Sequence, residues 1–123
     1  MTRKRLLVIS LAVIVAFAGV AIAKAVKTEL LPQAPALDPD SGAYGQAVLN
    51  YAKGADKTEV QINAGGLTPG ETYWPGLFGY GGFDVVTAGP NGKINVHAEV
   101  PGDVSGLDAG VFRLGGPLVL RAP

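Results

Sequence analysis

The chain has 123 residues, with ten Lys or Arg against ten Asp or Glu, 48% hydrophobic residues and no cysteine. The lack of cysteine excludes a lipoprotein anchor, a disulfide framework, haem attachment and a thiolate metal site. The absence of a basic excess, with a weakly acidic balance beyond residue 23, argues against nucleic-acid binding, which needs a basic stripe. At the start, Thr2-Arg3-Lys4-Arg5 precedes the uncharged run from Leu6 to Ala23, a pattern of basic patch and apolar helix that reads as an export signal. Ala21-Ile22-Ala23 supplies the small-x-small pattern of a cleavage site, and Ala16-Phe17-Ala18 a second one. The run of eighteen residues also reaches the short limit of a membrane span, so residues 6–23 retained as a single-pass anchor form the alternative. Either way the rest of the chain is expected outside the cytoplasm. Without residues 1–23 it is weakly acidic, with seven basic against ten acidic residues.

Residues 24–40 carry Pro32, Pro35 and Pro39 and read as an extended linker, with a continuation of the hydrophobic helix through Leu31 as the anchor variant. Residues 41–123 are then the folded domain. Its pattern is period two. Val60, Ile62 and Ala64 alternate with Glu59, Gln61 and Asn63, and Ile94, Val96, Ala98 and Val100 alternate with Lys93, Asn95, His97 and Glu99. Strands are expected at Gln46 to Tyr51, Thr58 to Ala64, Thr72 to Phe78, Phe83 to Thr87, Lys93 to Val100, Val111 to Leu114 and Leu118 to Arg121. Gly65-Gly66, Pro69-Gly70, Gly81-Gly82, Pro90-Asn91-Gly92 and Gly115-Gly116 punctuate them. Pro75 lacks a ladder donor, which assigns the Thr72 to Phe78 strand to an edge or a bulge. About seven short strands with turns at this spacing predict an all-β antiparallel sandwich after the N-terminal hydrophobic helix.

Leu67-Thr68-Pro69-Gly70-Glu71-Thr72-Tyr73 resembles the L-x-P-G-x-x-Y segment of fibronectin type III and related immunoglobulin-like sandwiches. The stretch from Thr87 to Pro101 is similar to hairpins of prokaryotic secreted immunoglobulin-like modules. The resemblance implies a structural corner at Leu67, Pro69, Gly70 and Tyr73, with the Tyr73 hydroxyl bonded back to the backbone. It departs from the family at Trp74-Pro75-Gly76. Gly66 to Glu71 also resembles the turn before the copper ligands of Cu/Zn superoxide dismutase-like domains, but the histidines that family requires do not follow, and His97 is the only histidine.

The inventory for chemistry is short. His97 lies on an outward strand position, Ser41 and Ser105 stand outside any nucleophile-elbow pattern, and the spacing of Asp103 and Asp108 fits no calcium loop. No catalytic, cofactor or metal residues are therefore expected. What stands out is aromatic: Trp74, Phe78, Tyr80 and Phe83 are interleaved with Gly76, Gly79, Gly81 and Gly82. They form either ordinary core or a contact site offering flat rings to an unidentified protein or carbohydrate. The sequence thus points to a non-catalytic binding or structural module at the cell envelope. The alternative is a subunit of a membrane-anchored or pilin-like surface assembly that keeps its N-terminal helix.

Overall fold

The computed structural model describes residues 23–123. The expected N-terminal helix, and with it the signal and anchor readings, lies outside these residues except for Ala23, which opens the first strand. Nine strands follow in chain order: β1 (Ala23–Pro32), β2 (Tyr44–Ala52), β3 (Lys57–Gly65), β4 (Thr72–Leu77), β5 (Gly81–Gly82), β6 (Val86–Thr87), β7 (Ile94–Pro101), β8 (Ala109–Arg113) and β9 (Leu118–Arg121). Among the described residues there is no helix. The strands form one antiparallel sheet in the order β5-β4-β8-β9-β1-β2-β3-β7, with β6 also paired to β4. The sheet curls so that its two halves enclose one hydrophobic core.

Strand β1 joins the halves. Its residues Ala23 to Leu30 pair with β2, whereas Leu31 and Pro32 pair with β9. Leu30, at the changeover, is 1% exposed. This corrects the expectation of a linker over residues 24–40, and equally that of a helix running on to Leu31. Leu30 enters the core with Val26 and Thr28 half-buried on the same parity, while Lys27 and Glu29 stay in water, so the segment carries the same two-residue period as the other strands. After Pro32 the prolines shape turns instead of a tether. Asp38 N–H donates to Pro35 O at 2.9 Å, Ser41 N–H to Asp38 O at 3.0 Å and Ala43 N–H to Asp40 O at 3.0 Å. The folded unit therefore includes the residues from Ala23 to Asp40 that sequence reading left outside it.

Strands β2, β3 and β7 follow the expected alternation, sending Ala47, Leu49, Val60, Ile62, Ile94 and Val100 into the core. Over Phe83 to Thr87 the expectation of one continuous strand is corrected, because the edge is broken into β5 and β6 on either side of Phe83 to Val85. The cause is Pro75. Its carbonyl accepts Phe83 N–H at 2.8 Å, so the side of Pro75 that lacks a donor faces this broken edge and the pairing with β8 loses nothing. A register shift at Val111/Phe112 lets β9 bury both Val119 and Leu120.

Candidate functional site

Two arrangements gather the chemistry-bearing side chains of the half built from β4, β5, β6, β8 and β9. The first is a buried polar knot at the corner before β4. Asp40 is 0% exposed, and its Oδ1 accepts the Tyr73 hydroxyl at 2.8 Å, the Thr68 hydroxyl at 2.8 Å and Thr68 N–H at 2.9 Å. Its Oδ2 accepts Arg113 Nε at 3.0 Å and Nη2 at 2.7 Å, and the same Nη2 also reaches Asp38 Oδ1. Thr68 N–H donates to the Tyr73 oxygen as well, at 2.9 Å, so the tyrosine hydroxyl does meet the backbone of its own corner. Burial alone would raise the Asp40 pKa, but the hydrogen bonds from Arg113, Tyr73 and Thr68 outweigh it and hold the carboxylate below its ordinary range. Tyr73 is pushed up, first by burial and then by that carboxylate. Both oxygens of the buried Asp40 are satisfied within the knot, which ties the Thr68 turn and Tyr73 to Arg113 and so positions elements.

The second arrangement is open. On β4, Tyr73, Pro75 and Leu77 point inward, which leaves Trp74 and Gly76 on the outer face. Register sets Trp74 opposite Phe112 and Gly76 between Gly110 and Gly82. The absence of side chains here is filled by rings. A Cβ at Gly110 would come within 2.6 Å of Phe78 Cε2, and one at Gly82 would collide with the indole of Trp74. The Trp74 and Phe78 rings press close on glycine backbone and help form a groove of about 650 Å³ lined by Trp74, Phe78, Tyr80, Phe112 and the glycines between them. Trp74 is 47% and Tyr80 51% exposed. Trp74 Nε1 donates to Phe83 O at 2.6 Å, which fixes the indole against the edge. The Arg121 guanidinium stands 4.3 Å from the Phe78 ring centre, a cation–π contact that holds the groove floor.

No protein-family model matches this chain, and no curated protein matches it in sequence. The geometry therefore carries the functional reading alone. Of the expected contact residues, Trp74, Phe78 and Tyr80 come together in the groove, whereas Phe83 is half-buried beneath them with its ring centre 6.0 Å from that of Tyr80. Sequence reading missed Phe112, Arg121 and the Asp38–Asp40–Arg113 cluster. Phe112 was accessible in principle, since it falls on an outward parity between Val111 and Arg113; the cluster joins residues 73 and 75 positions apart, and nothing local marks it.

The remaining candidates are scattered. His97 faces solvent 3.9 Å from Glu59 on the neighbouring strand, with Glu99 engaged by Lys57 at 3.0 Å. Asp103 accepts Ser105 N–H at 3.0 Å and the Ser105 hydroxyl at 2.6 Å, and pairs with Lys24 at 2.8 Å. Lys24, then Ser105, lower its pKa to about 2. These contacts tie the loop before β8 to the start of β1. Among the described residues, no three His, Asp or Glu side chains converge on a metal position.

Proposed function

We propose that this protein is a non-catalytic binding module, exported by its N-terminal segment and displayed outside the cytoplasm at the cell envelope, and that its sandwich is of the immunoglobulin-like, fibronectin type III-like kind. The corner segment from Leu67 to Tyr73 supports the fold assignment, and the basic patch before residues 6–23 supports export. The non-catalytic reading is supported by the side chains around the groove, where the charged lining residue is Arg113, already held by Asp38 and Asp40, and the nearby Arg121 is stacked on Phe78.

One observation carries the binding reading: Trp74, Phe112 and Tyr80 stand exposed side by side over a glycine floor, where a solvated sheet face would carry polar chains. Rigid aromatic rings lose little entropy on contact and are the usual energetic centres of protein interfaces. With few polar groups at hand, the groove suits an apolar segment of a partner protein. Truncating Trp74 at the centre of such a contact costs about 2 kcal/mol or more, roughly thirtyfold in affinity. Photocrosslinking in the producing cells tests this. A photoreactive residue at position 80 should give a discrete adduct that Trp74→Ala abolishes; no adduct, or one indifferent to that substitution while circular dichroism stays native, contradicts the reading.

A further inference from the structure

The opposite half of the sandwich carries a second surface of a different chemistry. Register aligns Glu29, Gln46, Asn63 and Asn95 in one straight row across β1, β2, β3 and β7, all on the outward parity. The next row sets Lys27, Val48, Gln61 and His97 in line. At neighbouring-strand spacing the first row extends about 14 Å and offers a hydrogen-bonding side chain on each strand. Tyr44, 56% exposed, stands beside the row on the same face of β2, two residues before Gln46, with its ring against Gly65, where a Cβ would meet the ring carbon Cζ at 2.5 Å. The first row, Lys27 and Tyr44 line, together with Lys93 and Asn91, a groove of about 970 Å³.

Two facts separate this surface from an ordinary solvated face. Asparagine is disfavoured in strands, yet Asn50, Asn63 and Asn95 occupy strand interiors here, so the sheet itself does not select them. Nor do the amides of Gln46, Asn63 and Asn95 bond to any other described side chain, so among the described residues their donors and acceptors are unused. Paired donors and acceptors at regular intervals, beside an exposed ring on a glycine seat, match a chain of pyranose units: vicinal hydroxyls meet amides, and the apolar face of a sugar ring stacks on the phenol. Lys27 and Glu29 lie at the β1 end of the groove and Lys93 at the β7 end, so the amides of Gln46 and Asn63 between them form an uncharged centre. We propose that the outer face of β1, β2, β3 and β7 binds an unbranched neutral polysaccharide, with Tyr44 as the stacking ring and Gln46, Asn63 and Asn95 as the hydroxyl-reading row.

The test is affinity electrophoresis of the purified full chain through separate gels containing hydroxyethylcellulose, mannan or soluble starch, with polygalacturonate as the charged comparison. Retardation is expected in at least one neutral gel. Tyr44→Ala and Asn63→Ala should each weaken it at least tenfold, whereas Trp74→Ala on the other half leaves it unchanged. Asn95→Ala, at an exposed position on the edge strand, guards against loss of fold and should weaken retardation severalfold. The proposal is overturned by normal mobility in all three neutral gels, by retardation in polygalacturonate alone, or by retardation that Trp74→Ala relieves and Tyr44→Ala and Asn95→Ala do not.

Discussion

Asp40 is the residue on which the corner depends, because it is wholly buried and its two oxygens bind three separate parts of the chain: the Thr68 turn, the Tyr73 ring and the Arg113 guanidinium. Removing Asp40 leaves the Tyr73 and Thr68 donors without their buried acceptor and Arg113 with Asp38 alone, and each buried donor left unsatisfied costs about 1–3 kcal/mol. Asp40→Ala should lower stability by that order in urea unfolding, with Asp40→Asn milder because it keeps one acceptor oxygen. A loss below about 1 kcal/mol would show the knot to be incidental. The same residues set the acid limit. Asp40, Asp38 and Asp103 all have folded pKa values below their unfolded ones, with Asp103 at about 2. Their contribution is complete above the unfolded aspartate pKa of about 4 and is lost as pH falls through the folded values. Unfolding midpoints followed by circular dichroism should therefore hold steady from neutral pH down to about 4 and drop between about 4 and 2; a midpoint that rises over that interval contradicts the assigned contacts.

Among the elements, β1 separates this structure from the one that sequence reasoning anticipated. A tether residue substituted by alanine changes stability by less than about 0.5 kcal/mol, whereas a buried leucine in a closed core costs about 2–5 kcal/mol. Leu30→Ala therefore discriminates, and the larger loss is expected. The strands β2, β3 and β7 were legible because their residues alternate between core and solvent and are bounded by turn residues, so local pattern and tertiary demand agree. Strand β1 carries the same alternation, but it follows an apolar run and precedes three prolines, and both neighbours argued locally for something else. Its strand character is decided at long range by β2 and β9. The interruption at Phe83 has the same origin: Pro75 was readable as a defect in a ladder, but the partner that absorbs the defect belongs to another strand. Of the contact site, the ring-rich segment was visible and the Phe112 partner was not, since register across β4 and β8 is a property of the sheet.

At the scale of the whole molecule, the curled sheet presents two outer faces with opposite chemistry. One carries Trp74, Phe112 and Tyr80 on glycine; the other carries rows of amides and paired charges beside Tyr44. The buried polar residues Asp40, at the corner, and Thr58 and Ser105, at the loop before β8, find their partners at those two places, so neither face is needed to satisfy them and both remain available for contact. The proposed contact depends most heavily on the aromatic face being open, and Trp74, the only tryptophan in the chain, reports on it directly. Steady-state fluorescence of the purified full chain with an aqueous quencher is the decisive measurement. The structure predicts a red-shifted emission that iodide quenches readily, in keeping with an indole 47% exposed; a blue-shifted emission that resists quenching would place Trp74 inside the core and remove the contact site.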